Sequence, residues 1–317
     1  MREAGGGFQM NDINEITKDL LGKVSDWNGE YKGAYNIRVD STCAGRQSSD
    51  NIKIYSKTDK PGLDIRIAPG TKGETVSIPA CVTHGNVDDL VYNDFYVGKN
   101  ADVVIVAGCG VHTENGEPAR HNGIHRFFLE EGSHVKYLEK HVGTGKGIGI
   151  RTIDPVTEVH LGKNSVLEMD TSQIGGVDRT VRKTGGEVGE GARLFIRERI
   201  LTEKDQQAET DFSVVMNGKG AGVDLVSRSV AKDNSYQRYR SVVIGDAPCT
   251  GHTECDAIIA DHGKVDAAPE LCAHDEDASL VHEAAIGKIA GEQITKLCTL
   301  GLTEKEAEDV IIQGFLS

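Results

Sequence analysis

A weak repeat with a period near thirty residues constrains this chain more than any other feature. A glycine-bearing or acidic turn, a small residue and then an alternating strand recur in Gly98-Lys99-Asn100-Ala101, Glu130-Glu131-Gly132-Ser133, Gly162-Lys163-Asn164-Ser165, Gly189-Glu190-Gly191-Ala192 and Gly218-Lys219-Gly220-Ala221. The small residues at 101, 133, 165, 192 and 221 lie 32, 32, 27 and 29 positions apart. That spacing is too long for one hairpin. It fits one coil of a β-solenoid, whose strands stack coil on coil while the outward turns tolerate changes of length. A β-sandwich with regularly spaced turns is the competing arrangement.

The predicted class is therefore mainly β, a parallel β-helix over residues 35–281, built from runs such as Val103-Val104-Ile105-Val106 and Ser241-Val242-Val243-Ile244. With 38% hydrophobic and only 5% aromatic residues, the core must be made of small and aliphatic side chains, which suits one elongated domain. Residues 1–34 read as a helical segment: Ile13, Ile16, Leu20, Val24 and Trp27 recur at helical spacing after Asn11 or Asp12. Residues 282–317 read as a helical hairpin. Ile286, Ile289, Ala290, Ile294, Leu297 and Cys298 share a helical face, Gly301 ends that helix, and Thr303 with Glu306 has capping-box spacing before Ala307, Val310 and Ile311. Such a hairpin either caps the solenoid or presents a groove to a partner.

A formal charge of -14 disfavours a nucleic-acid phosphate surface. No stretch of about 18 uninterrupted apolar residues occurs, and Met1 to Met10 lack a signal peptide's apolar core, so a cytoplasmic protein is expected. Seven cysteines without regular spacing do not form a disulfide framework.

Three cysteines and four histidines crowd between Cys249 and Glu283, with many carboxylates. Thiolate and imidazole suit zinc, copper(I) or iron–sulfur species. Cys109-x-x-His112 and Cys249-x-x-His252 each have the gap of a metal half-site but lack a second pair nearby, so a closed zinc site is not supported. No Cys-x-x-Cys occurs, which disfavours a permanent electron-transfer cluster. The Gly143-Thr144-Gly145-Lys146-Gly147 segment is not a phosphate loop. Lys140 stands where the first glycine of that motif is needed, and Gly147 replaces the magnesium-binding Ser/Thr. No Gly-x-Ser-x-Gly nucleophile elbow is present. A metal-binding or carbohydrate-active solenoid is the alternative reading, although aromatic platforms for sugars are scarce.

From about Val82 to the C-terminus the sequence resembles the SufB/SufD family of iron–sulfur cluster scaffolds. The resemblance rests on Asn234-Ser235-Tyr236-Gln237-Arg238-Tyr239-Arg240, on Glu254-Cys255-Asp256, on Val281-His282-Glu283-Ala284-Ala285-Ile286-Gly287-Lys288-Ile289, and on the tail from Gly301 through Phe315. It implies a right-handed parallel β-helix that pairs with a second copy or a SufD-type partner through its late coils. It also implies a non-enzymatic scaffold whose C-terminal helices, through Ile286, Ile289, Ile294, Leu297, Val310 and Ile311, dock a SufC-type ABC ATPase. The residues it implies for a transient cluster, 2Fe–2S or 4Fe–4S, are Cys255, Glu283 and His282, with apo iron–sulfur proteins as recipients. Cys249, His252 and Cys272 are secondary candidates; Cys43, Cys81 and Cys298 read as structural. Glu283 and Leu280, where SufD usually has glycine and cysteine, favour the SufB branch. The long N-terminal region of typical SufB proteins is nearly absent here, so steps that depend on it are not carried over. Nothing in the sequence signals a flavin. The plainer alternative packs Cys255 in a coil and leaves His282 and Glu283 as caps of the first C-terminal helix.

Overall fold

The computed structural model describes residues 13–317. It is a parallel β-solenoid of about eight turns flanked by helices, as the thirty-residue period predicts. One sheet runs in the order β2 (Thr42–Gln47), β1 (Ala34–Val39), β5 (Lys72–Val82), β7 (Asp102–His112), β9 (His134–Thr144), β12 (Val166–Ile174), β14 (Arg193–Thr202), β16 (Ala221–Ala231), β18 (Cys249–Ile259), β20 (Ser279–Gly287). The other runs β19 (Lys264–Ala273), β17 (Tyr236–Gly245), β15 (Gln207–Met216), β13 (Arg179–Val188), β10 (Arg151–Ile153), β8 (Ala119–Leu129), β6 (Val87–Val97), β4 (Gly62–Ile67), β3 (Ile52–Ser56), with β11 (Val156–Leu161) also between β8 and β13. Among the described residues only the β1–β2 and β3–β4 pairs, at the first coil, are antiparallel.

The repeat is a stacked corner. Ala101, Ser133, Ser165, Ala192 and Ala221 are all fully buried. The residue before each, Asn100, Gly132, Asn164, Gly191 or Gly220, has positive φ, which glycine and asparagine tolerate best. The carbonyls of Ala101, Ser133 and Ser165 accept from the amides of His134, Val166 and Arg193 at 2.7, 2.8 and 2.9 Å, one coil onward. Larger side chains would collide with the next corner, since neighbouring strands lie only about 4.8 Å apart.

Inward residues of both sheets build one long apolar core, interrupted midway by a buried polar chain. His125 donates through Nδ1 to the Tyr137 hydroxyl at 2.7 Å, and Tyr137 donates to Glu139 at 2.8 Å. Arg182 bridges Glu139 at 2.6 Å and Glu198 at 3.3 Å, and Ser227 donates to Glu198 at 2.7 Å. Burial alone would raise the Glu139 carboxyl, but His141 and Arg182 hold it well below the usual carboxylate range.

Burial lowers His125 to about 4 from an ordinary 6.5. A histidine kept neutral in the fold protonates more readily in the unfolded chain. Its stabilising effect is thus complete above about pH 6.5 and is lost as pH falls toward 4, by up to about 3 kcal/mol. Urea midpoints at pH 7 and pH 4.5 should differ accordingly, and His125→Asn should flatten that part of the profile.

The N-terminal helix α1 (Glu15–Ser25) is capped by Asn14, whose side chain accepts from the Thr17 amide. The expected caps Asn11 and Asp12 lie outside the described residues. Leu20, Leu21 and Val24 bury themselves on the outer face of the first sheet. Gly108 and Gly110 make this approach possible, since a Cβ on Gly108 would lie 2.3 Å from the Val24 carbonyl oxygen.

At the other end the sequence reading needs correction. β20 extends to Gly287, so His282, Glu283 and Ile286 lie on the last strand rather than on or before a helical face. The first C-terminal helix, α2 (Gly291–Thr299), starts later and has Ala290 as an N-cap without a side-chain hydrogen bond, so His282 and Glu283 do not cap it. β-Branching at Ile286 and continued pairing with β18 override the helical spacing. The second, α3 (Glu304–Phe315), carries the predicted Thr303–Glu306 capping box. It docks on the solenoid flank through Ile312 and Leu316 against Val230, joined by Ile289, with Lys232 3.0 Å from Glu308. Ile294 and Leu297 are half-buried, α2 buries no residue fully, Ile311 is half-buried, and Ile286 and Val310 are exposed.

Candidate functional site

The ligand-rich stretch forms the last complete coil and the strand beyond it. β18 pairs with β20 so that Thr253 stands opposite His282, Glu254 opposite Glu283 and Cys255 opposite Ala284. Along β18 the even alternation of the pleat sends Cys249, Gly251, Thr253, Cys255 and Ala257 inward, where all are buried, and leaves His252, Glu254 and Asp256 on the outer face. Among the described residues β19 and β20 each have a neighbour on one side only, so both sheets end in unpaired edges here.

On the inner face, Cys255 is 1% exposed. Burial, reinforced by the charges of Glu198 and Asp256, pushes its thiol up to about 12, so it is protonated at neutral pH. Its neighbours are Ser227 on β16, paired with it in register, and the Tyr239 ring on β17, close enough for the thiol to influence the phenol. His282 shares this face: its Nδ1 meets the Thr253 hydroxyl at 2.5 Å. Burial, then the neighbouring His252, lowers the His282 imidazole, against the opposing pull of Glu283. His282 Nε2 is buried in this end of the lumen without a hydrogen-bond partner among the described residues, while the Tyr239 and Ser241 hydroxyls lie beside each other on β17. An unpaired buried polar group is costly and uncommon, and asks for a ligand or a structural partner.

Glu283 faces the other way. It lies on the outer surface with His252 and Glu254, and one ligand atom from each of the three falls within 4.8 Å of the others. Within one chain, then, the sheet separates Glu283 from Cys255, while Cys255 and His282 share the lumen.

The secondary candidates separate as well. Cys249 continues the corner series, paired with Ala221 and buried in the core, while His252, three residues on, points outward. Residues three apart on a strand cannot grip one ion, which removes this Cys-x-x-His pair as a half-site. Cys109 and His112 likewise lie on one strand: Cys109 packs among Ala80, Val82 and Val111, and His112 is occupied by Thr144 at 2.8 Å and Glu114 at 3.1 Å. Cys272 sits on β19 in the opposite sheet, in register with the outward Ile244, with its thiol near Glu270. Cys81 is buried, Cys43 is exposed and hydrogen-bonded to Asn36, and Cys298 is partly buried. Sequence reasoning did not single out Asp224, Tyr239 or Ser241. Asp224 lies 28 residues before His252, one coil back, which is the signal that would have found it.

A groove of about 770 Å³ runs along the second sheet beside Tyr96, Phe128 and His160. These rings stack at 5.2 and 4.9 Å as cross-strand neighbours in register, and the ladder is explained by that pairing.

The fold is a parallel β-solenoid whose last coil brings the Cys255 thiol and the His282 imidazole to one face at its end. Residues 92–315 match the SufBD core domain of the SUF system for FeS cluster assembly, and the chain belongs to the SufBD family. It is 30% identical over 265 residues to an iron–sulfur cluster assembly SufBD family protein of Methanothermobacter thermautotrophicus, covering 81% of this chain and 62% of the relative. It is 28% identical over 275 residues to the SufBD family protein of Archaeoglobus fulgidus, covering 86% and 72%. It is 26% identical over 264 residues to the iron–sulfur cluster assembly protein SufB of Bacillus subtilis, covering 80% and 55%. The chain thus spans a little under two thirds of the Methanothermobacter relative. Among the described residues no helix is long and apolar enough to cross a membrane.

Proposed function

We propose that this chain is a SufB-like scaffold on which an iron–sulfur cluster is assembled and from which it is passed to apo proteins. The observation that supports this most is the buried Cys255 thiol sharing the inner face at the open end with His282, whose Nε2 has no hydrogen-bond partner among the described residues. As thiolate, Cys255 binds iron of the nascent cluster, and His282 Nε2 supplies a second, weaker ligand. A mixed thiolate and imidazole shell releases its cargo more readily than four thiolates do. The buried thiol must first lose its proton, so loading requires the last coil to shift. A SufC-type ABC ATPase docked on the C-terminal helices, where Val310 is exposed, supplies that motion. Anaerobic reconstitution with ferrous iron and sulfide tests the reading: a chain that takes up neither is no scaffold.

The unpaired edges of β19 and β20 support pairing with a second solenoid, since exposed edges otherwise invite aggregation. Two copies related by a dyad are the preferred arrangement, and a SufB/SufD-type heterodimer is the other. Ile286, exposed on β20, should lie at such an interface. Ile286→Glu is expected to weaken self-association by about tenfold or more, ~1.4 kcal/mol, in sedimentation equilibrium. An unchanged dimer would place the interface elsewhere.

A further inference from the structure

We infer that the outer face of β18 and β20 carries a divalent-cation site of hard donors, built from His252, Glu254 and Glu283, that takes ferrous iron apart from the Cys255 thiol. The inference deepens the scaffold reading and rests on it for the identity of the ion.

Glu254 and Glu283 stand directly opposite each other on adjacent strands, an arrangement in which like charges destabilise a sheet, and Asp256, hydrogen-bonded to Glu254 on the same face, adds a third carboxyl. The nearest basic side chain, Arg228, reaches Glu254 only at 4.0 Å. His252 lies two residues before Glu254 on the same face and completes a group with ligand atoms within 4.8 Å of one another.

The histidine is also held as a ligand would be. Its Nδ1 is 2.9 Å from Asp224 Oδ1, and Asp224 is fixed in turn by Arg197 at 2.6 Å. A carboxylate on one ring nitrogen fixes the tautomer and presents the other, here Nε2, as the donor. One imidazole and two carboxylates suit iron(II), manganese(II) or zinc rather than copper(I), and leave open positions on the metal. The site contains no sulfur, and the sheet separates it from Cys255. It can hold an iron ion before any thiolate is exposed, on the edge strand β20 and its neighbour β18.

Cobalt(II), a spectroscopic stand-in for iron(II), is titrated anaerobically into the full chain without sulfide. The expected result is one ion per chain with no thiolate-to-cobalt charge-transfer absorption, and the same binding in Cys255→Ser. Replacing all three ligands by His252→Ala, Glu254→Gln and Glu283→Gln should abolish binding. Asp224→Asn should weaken it about tenfold to a hundredfold, as loss of an orienting partner does. These are surface positions, and circular dichroism checks that the variants fold. Undiminished binding in the triple variant, or a thiolate band lost in Cys255→Ser, overturns the site. Cluster content after reconstitution is read separately, so a failed outer site and a failed scaffold are told apart.

Discussion

Cys255→Ser, reconstituted anaerobically with ferrous iron and sulfide, is expected to retain at least about tenfold less cluster than the unaltered chain, equivalent to ~1.4 kcal/mol or more of lost binding. Serine preserves the volume of a side chain that is 1% exposed, so folding should survive while the proposed thiolate ligand is removed. Hydroxyl is a poor substitute for thiolate toward iron–sulfur species. His282→Ala should give a smaller loss, because the imidazole is a secondary donor and its Nε2 is already partnerless. Iron and acid-labile sulfide analysis distinguishes the two. Equal retention in Cys255→Ser and the unaltered chain would return Cys255 to the status of a small packed side chain.

The second large effect concerns the middle of the solenoid. Arg182→Met should destabilise the chain by about 3–5 kcal/mol, the usual consequence of removing one partner of a buried ionic group. Arg182 stands between Glu139 and Glu198, all three almost fully buried, and no water can take its place cheaply. Without it, two carboxylates share an apolar lumen, and at least one must take up a proton. The loss should therefore shrink at lower pH. Adding Glu139→Gln should recover part of the stability, because it removes one of the stranded charges. Urea denaturation followed by circular dichroism measures both, and a single variant that unfolds at the original midpoint would contradict the assignment of Arg182 as the counter-charge.

The solenoid was readable in the sequence because its corners repeat chemistry as well as spacing. A left-handed Asn or Gly followed by a buried Ala or Ser is demanded by backbone geometry at five successive corners, so it recurs. The capping box at Thr303 was readable for the same local reason. What depended on pairing was harder to see. Ile286 and Ile289 fit a helical period, yet β20 continues to Gly287 because β18 offers it a ladder. Spacing within one strand likewise suggested Cys249 with His252, while the pleat sends them to opposite faces. Cys255, His282 and Glu283 are close in sequence register, and only the alternation of β20 reveals that Glu283 joins His252 and Glu254 instead. The polar chain through Arg182 had no sequence signature, since its members lie on five strands of both sheets.

Assembly of a cluster on Cys255 at the open end of the solenoid is the proposal on which the rest depends. Native mass spectrometry of the anaerobically purified chain with a SufC-type ATPase tests it, reporting stoichiometry, iron and sulfide in one spectrum. The expected assembly contains two solenoids and carries iron and sulfide that disappear together in Cys255→Ser. An assembly that carries the same iron and sulfide in the Cys255→Ser chain would contradict it.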